Sequence, residues 1–328
     1  MDILILGAAG MIGRKLTERL VREAALGDRP IEHAHLVDIV APTAPDAAPF
    51  RISTRAADLA TPGLAADLVA DRPDVIFHLA AIVSGEAEAD YDKGYRVNLD
   101  GTRTLFEAIR AVGDGYRPRV VFTSSIAVFG APFPAGGIDD DFNLTPLTSY
   151  GTQKAIGELL LADLSRRGIL DGIGLRLPTI CVRPGAPNKA ASGFFSGIIR
   201  EPLAGREAIL PVPDTVRHWH ASPRAAIGFL LHAATLDTGP MGARRSLTMP
   251  GVSATVGEQI EALRRVAGEK AVALIRREPD PAVAAIVSGW AEHVRPDRAL
   301  ALGFRADPDF EAIIRVHVDD ELGGRIPA

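Results

Sequence analysis

The opening of the chain constrains its fold more than any other stretch. Asp2-Ile3-Leu4-Ile5-Leu6 is a short apolar run, the pattern of a strand buried in a parallel sheet. Gly7-Ala8-Ala9-Gly10-Met11-Ile12-Gly13 follows at once. From Met11 to Ala25 the pattern becomes helical: Met11, Ile12, Leu16, Leu20 and Val21 recur at three- and four-residue steps, with Arg14, Lys15, Glu18, Arg19 and Arg22 between them. Gly7 permits a tight turn, Gly10 lets backbone approach a ligand, and Gly13 lets helix pack on strand. The free N–H groups and dipole at the helix start favour an anion such as a pyrophosphate.

The remaining pattern repeats this alternation. Strands are expected at 35–39, 51–58, 74–79, 119–125 and 173–177, with helices at 61–71, 95–112 and 149–167. This predicts an α/β protein, a Rossmann-type doubly wound parallel sheet with a smaller C-terminal cap that binds substrate. Residues 1–180 are read as the nucleotide-binding domain, with 210–238 returning to it, and 181–328 mainly as the cap. Pro, Gly and small residues crowd 183–215 after Pro178, with helical pieces near 193–200 and 222–236.

Composition narrows the function classes. The net charge is −5, from 36 basic and 41 acidic residues, whereas a nucleic-acid binder leans basic. No run of 18 or more apolar residues exists, so no membrane span is expected. The N-terminus lacks a basic leader and a cleavage pattern, and the single cysteine, Cys181, allows neither an internal disulfide nor a cysteine zinc cage. A cytoplasmic location is expected.

Asp38 ends the second strand, 25 residues after Gly13. A carboxylate there can accept hydrogen bonds from both adenosine ribose hydroxyls and repels a 2′-phosphate, so NAD is expected over NADP. Leu79-Ala80-Ala81 ends the fourth strand at the same edge and leaves room for a ribose. His78 reads as a core histidine. Asp58-Leu59 either approaches the adenine amino group or caps a helix.

Tyr150-Gly151-Thr152-Gln153-Lys154 opens the helix that runs to Arg167. Positions four apart share a helix face, so the phenol and the ammonium can enter one site. Tyrosine ordinarily titrates near 10, and lowering that by about three units needs roughly 4 kcal/mol. A cation about 4 Å away supplies about that much at an effective dielectric near 20. Ser125, at the end of the fifth strand, can bond a substrate oxygen beside Tyr150.

With these residues the chain resembles the extended short-chain dehydrogenase/reductase family, which includes nucleotide-sugar epimerases and dehydratases. The matching positions are Gly7, Gly10, Gly13, Asp38, Asp58, His78-Leu79-Ala80-Ala81, Ser125, Tyr150 and Lys154. Asn98-Leu99-Asp100-Gly101-Thr102 and Arg176-Leu177-Pro178 also match, and the likeness spans roughly 1–240. It implies hydride transfer served by Ser125, Tyr150 and Lys154. It implies an NAD site made by Gly7, Gly10, Met11, Ile12, Gly13, Asp38, Asp58, Leu59, Leu79, Ala80, Ala81, Asn98, Tyr150, Lys154, Pro178 and Ile180. Lys154 would hold the nicotinamide ribose, the backbone near Pro178, Thr179 and Ile180 would orient the carboxamide, and Asn98 would hold the site's geometry. A homodimer through the helices at 95–112 and 149–167 is also implied.

The substrate reading comes from where the chain departs from the family's nucleotide-sugar members. Val216-Arg217-His218-Trp219-His220-Ala221-Ser222-Pro223 lacks the acidic positions those enzymes commonly carry there. The expectation is NAD-dependent oxidation of a small sugar acid, such as a four-carbon polyhydroxy acid. Its carboxylate needs a cation, for which Arg183, Lys189 and Arg217 are candidates, since a guanidinium grips a carboxylate with two parallel bonds. Ser84, Thr179, Asn188 and Ser192, with Ser125 and Tyr150, are candidates for its hydroxyls. His218 and His220 lack a third ligand, so no metal site is expected. The alternatives are a nucleotide-sugar epimerase or dehydratase and, from another class, a non-catalytic NAD-sensing regulator.

Overall fold

A computed structural model describes residues 1–185 and 192–326. In chain order the strands used below are β1 Asp2–Leu6, β2 His33–Asp38, β3 Arg51–Ala56, β4 Val75–His78, β5 Arg119–Ser125, β6 Asp171–Leu177, β7 Thr179–Ile180, β8 Ala208–Leu210, β9 Arg217–Ala221, β10 Ser246–Thr248, β11 Val252–Thr255 and β12 Ile275–Arg277. The main helices are α1 Met11–Glu23, α2 Leu64–Val69, α3 Gly101–Val112, α4 Ser149–Arg166, α5 Gly193–Leu203, α6 Pro223–Thr235, α7 Val256–Val272 and α8 Phe310–Leu322.

The chain divides into two compact units. The first comprises 1–125, 148–176 and 227–247; the second comprises 126–147, 177–226 and 248–328. The sequence expectation put its break at 180 and its return at 210–238. The structure puts the break after Arg176, the return at 227–247, and the loop 126–147 with the second unit.

The first unit is built on a seven-stranded sheet of order β10-β6-β5-β4-β1-β2-β3. The order reverses at β1, where a doubly wound sheet opens a crevice at its carboxyl edge. Register decides what meets there. Leu6 lies opposite Val37 on β2 and His78 on β4, and His78 lies opposite Phe122 on β5. The next residues, Gly7, Asp38, Leu79 and Thr123, therefore leave neighbouring strands at the same height. Leu4, Ile5 and Leu6 are essentially unexposed, as the unbroken apolar run requires. One core cluster joins β1, β4 and β5 to α2, α3 and α4 through Leu4, Leu68, Ile76, Phe106, Phe122 and Leu161.

The second unit holds the three-stranded sheet β11-β9-β7, with β9 antiparallel to β11 and parallel to β7, and the parallel pair β8 and β12. Its core gathers Phe195, Ile198, Leu210, Ile260, Leu263, Phe310 and Ile313 from α5, β8, α7 and α8. Thr255 and Glu258 form a capping box at the start of α7.

Observed elements fall near the expected ones, with instructive exceptions. The helix expected at 61–71 is confined to Leu64–Val69, because Gly63 in a left-handed conformation starts it. The helix expected at 95–112 opens as a π-helical turn over Tyr95–Asp100 before α3. A short helix at Ser84–Ala89 and a helical turn at Tyr91–Gly94 were not expected.

Candidate active site

The glycine turn is closed by contacts that only glycine allows. Gly7 has φ +88°, and a Cβ there would lie 2.7 Å from Ala80 N and 2.8 Å from the Leu79 carbonyl carbon. A Cβ on Gly13 would lie 2.3 Å from Gly7 O, so α1 rests directly on the turn. Gly10 differs: its nearest neighbour would be 3.4 Å away, and it caps α1 with no side-chain hydrogen bond. No side chain lies within 4 Å of where a Gly10 Cβ would stand, so the start of α1, whose first N–H groups lack helical partners, leaves room for a pyrophosphate. Met11 and Ile12, half-buried, form the first turn of α1.

Asp38 is bound into this turn: Ala9 N–H donates to Oδ2 at 2.9 Å and Ile39 N–H to Oδ1 at 2.7 Å. Asp58 accepts from Ala60 N–H at 3.0 Å and from Arg96 at 2.6 Å. It therefore closes a turn and an ion pair, while Gly63, not Asp58, is the N-cap of α2. Burial pushes its carboxyl up, but the bonds from Arg96 and Ala60 N–H and the charges of Arg96 and Lys93 together hold it below the usual range. Leu59 is buried against α3 beside Gly101.

Asn98 sits in the π-helical turn, a distortion that recurs at functional sites. Its Oδ1 accepts from Ile82 N–H at 2.9 Å, and its Nδ2 donates to Ile82 O at 3.3 Å and to Gln153 Oε1 at 2.8 Å. One side chain thus ties the segment after Ala80-Ala81 to the residue beside Lys154. His78 is 1% exposed and bonds Thr102 Oγ1 at 2.8 Å, while that hydroxyl donates to Asn98 O at 2.7 Å. Burial pushes its imidazole down to about 3, so His78 is a neutral core residue.

Tyr150 and Lys154 share a face of α4, with the Lys154 ammonium 5.7 Å from the Tyr150 ring centroid. Lys154 is 2% exposed and donates to Thr123 O at 2.8 Å, and its Nζ lies 4.9 Å from the Phe122 ring centroid. Burial pulls this amine down to about 8, and Glu158 acts in the opposite direction. Gly157 makes the close approach possible, since a Cβ there would meet the Phe122 ring at 2.8 Å. Ser125, half-buried, ends β5 two residues after Thr123, and Ser84 is half-buried at the start of its short helix.

The second unit carries the other candidates. Thr179 Oγ1 lies 2.6 Å from His218 Nε2, whose Nδ1 lies 3.1 Å from Ala291 O. Arg183 donates from Nε to Ile180 O at 3.0 Å and from Nη2 to Ser192 Oγ at 2.9 Å. Arg217 is paired with Glu258 at 3.2 Å and bonds Ser253 O. Pro178 and Ile180 are buried. Asn188 and Lys189 lie outside the described residues. His218 and His220 are buried, stacked or edge-on to Phe195, and burial pushes both imidazoles down, His218 to about 3. Among the described residues no group of three or more His, Cys, Asp or Glu could hold a metal ion, and no helix is long and apolar enough to cross a membrane.

Sequence reasoning gave no role to four residues here. Gln153 holds Asn98, and Ser124 and Arg176 bind Glu158, itself buried one turn beyond Lys154. Tyr150, Lys154 and Glu158 form a series at four-residue steps, a signal visible in the sequence. The cavity at the other, amino edge of the sheet, about 760 Å³, is lined by Arg29, Asp74, Arg119 and Asp171. These groups pair with one another, Arg29 with Asp74 and Arg119 with Asp171, both at 2.8 Å.

A tight glycine turn at the start of α1, the Asp38 carboxylate bound to it and a tyrosine–lysine face suit a dinucleotide-dependent oxidoreductase. NAD is its cofactor, and the residues of the turn fit that group. The NAD dependent epimerase/dehydratase family matches residues 3–224, and the chain belongs to that family. It is similar to a D-erythronate dehydrogenase of Cupriavidus necator, 47% identical over 98% of both chains. It is also similar to one of Haemophilus influenzae, 39% identical over 98% of this chain and 100% of that one. A solved structure described as a nucleoside-diphosphate-sugar epimerase from Agrobacterium tumefaciens superposes with a TM-score of 0.97 at 65% identity, covering 100% of this chain and 96% of that one.

Proposed function

We propose that the chain oxidises a small sugar acid with NAD, D-erythronate to 2-dehydro-D-erythronate. The observation that carries the chemistry is the buried Lys154 ammonium against the Tyr150 ring. In this reading Ser125 Oγ bonds the hydroxyl next to the substrate carboxylate. Tyr150 takes the proton of that hydroxyl as its carbon becomes a carbonyl, and the Lys154 charge favours the phenolate. Lys154 also bonds the nicotinamide ribose, and Asn98 keeps the Ile82 segment and α4 in register. Bound NAD supplies the hydride acceptor. The D-erythronate reading rests on two relatives of that name that match this chain over nearly its full length.

The described candidates for the carboxylate cation in the second unit are Arg183, bonded to Ile180 O and Ser192 Oγ, and Arg217, paired with Glu258 at 3.2 Å. Thr179 and Ser192 are the candidate polar groups of that unit for the hydroxyls. A homodimer through α3 and α4 is part of this reading, supported by Leu159, which is 65% exposed on α4.

The description of the 65%-identical structure favours a second reading, a nucleotide-sugar epimerase. The β9 segment speaks against it. His218 and His220 are buried and held uncharged, Trp219 donates to Met249 O, and Arg217 is spent on Glu258, so this strand offers no unpaired cation to a diphosphate. The test is NADH formation from NAD with D-erythronate, L-threonate and related aldonates. NADH with D-erythronate is expected. Interconversion of a UDP-sugar without net NADH, and silence with every aldonate, would overturn the reading.

A further inference from the structure

Glu158 belongs to no step derived above, yet its carboxylate is as deeply placed as Lys154. Three elements converge on it. Arg176, near the end of β6, donates from Nε at 3.0 and 3.1 Å and from Nη2 at 2.7 Å. Ser124, on β5, donates its hydroxyl to Oε1 at 2.5 Å. Glu158 itself rides on α4, two turns past Tyr150 and one past Lys154, and is 3% exposed. Burying a carboxylate costs several kcal/mol unless it is paired and fully bonded. Here that expense falls one helical turn beyond Lys154 on α4.

We propose that Glu158, fixed by Arg176 and Ser124, is a positioning residue that keeps Lys154 an ammonium seated against the Thr123 carbonyl. The consecutive residues of β5 divide the work. Phe122 underlies the ammonium, Thr123 accepts from it, Ser124 fixes the carboxylate, and Ser125 ends the strand at the site. Without the carboxylate, a lysine this buried has one carbonyl and a ring face to hold its charge.

The other groups around Lys154 do not replace Glu158. From α4 itself comes Tyr150; from β4 comes His78, whose imidazole is uncharged; from β5 come a carbonyl and a ring; from β6 comes Arg176, another cation. Burial draws the Lys154 amine down to about 8, and Glu158 is the group that pushes it back up. The inference rests on the dehydrogenase reading only for its consequence in turnover. The charge state of Lys154 shows in NAD binding alone.

The experiment is NADH binding without substrate, followed by nucleotide fluorescence from about pH 6 to about pH 10, on wild type, Glu158→Gln and Glu158→Gln/Arg176→Gln. The double variant leaves no Arg176 guanidinium without its carboxylate and guards against misfolding of the single one. Wild type should lose affinity as pH rises through about 8. In both variants that loss should begin about one pH unit lower, and kcat/KM should follow the same shift. An unmoved pH profile in either folded variant overturns the proposal. A moved binding profile with no turnover on any aldonate keeps this proposal and refutes the substrate reading instead.

Discussion

Two glycines of the turn, Gly13 and Gly10, make separable predictions. Gly13→Ala adds a methyl 2.3 Å from Gly7 O, 2.6 Å from Ala8 Cα and 2.9 Å from the Ala8 carbonyl carbon. All three are backbone atoms, so no side chain can swing aside. Reaching ordinary contact requires α1 to move off the turn by roughly an ångström, and forced overpacking of this kind costs about 1–3 kcal/mol. For a protein of this size that lowers Tm by on the order of 2–6 °C. The same movement withdraws the helix start from the pyrophosphate. Gly10→Ala adds a methyl whose nearest neighbour is 3.4 Å away, at a position with φ −68°. It should leave Tm within about 1 °C of wild type, as substitutions without a named clash do, while its methyl enters the space of the phosphates. Thermal melts without ligand and calorimetric titration with NAD separate the two. The expected result is weakened NAD binding in both and a lowered Tm only for Gly13→Ala. Wild-type NAD affinity in Gly10→Ala would refute the cradle, and wild-type Tm in Gly13→Ala would refute the close helix–turn contact.

Other outcomes follow from the same site. Tyr150→Phe should lower kcat about 10²–10⁴-fold, the worth of a placed general base, with NAD affinity unchanged by titration; near-normal turnover would remove Tyr150 from the chemistry. Asn98→Ala cuts the bonds to Ile82 and Gln153, so both kcat and NAD affinity should fall; a variant with both unchanged would show that the π-helical turn holds its shape alone. Buried His78 and His218 are pushed down to about 3, whereas an unfolded histidine takes its proton near 6.5. Their contribution is thus complete above pH 6.5 and fades as pH falls toward 3, at on the order of 1.4 kcal/mol per pH unit for each ring. Melts between pH 7 and 5 should show a falling Tm, and a flat profile would mean the rings are not buried neutral. Leu159→Glu places a charge at the exposed leucine of α4, so a dimer seen by sedimentation in wild type should become a monomer; an unchanged dimer would place the interface elsewhere.

Much of this architecture is legible in the sequence because it follows from local patterns. An apolar run ending at Leu6, glycines at 7, 10 and 13, and apolar spacing from Met11 to Val21 place the first strand, turn and helix within a residue or two. The Tyr150–Lys154 spacing likewise predicts a shared helix face, and the structure has one. The less legible features depend on groups distant in sequence. Nothing local shows that Asp58 will be taken by Arg96, Arg217 by Glu258, or Asn98 by Gln153, because each partner arrives from another element. Gly63 shortens α2 where apolar spacing alone extends it to 61–71. Glu158 stood in the visible four-residue series, but its burial beside Arg176 is a property of the folded sheet.

The widened turn at Tyr95–Asp100 makes length itself a constraint. A π turn holds one residue more than an α turn, and each residue of an α-helix advances the chain by about 100°. Deleting a single residue there to restore a regular helix would swing Asn98 by that angle and aim its amide away from Ile82 and Gln153. Insertions and deletions are therefore affordable in the loops on either side of this segment and ruinous within it, even where every side chain is kept.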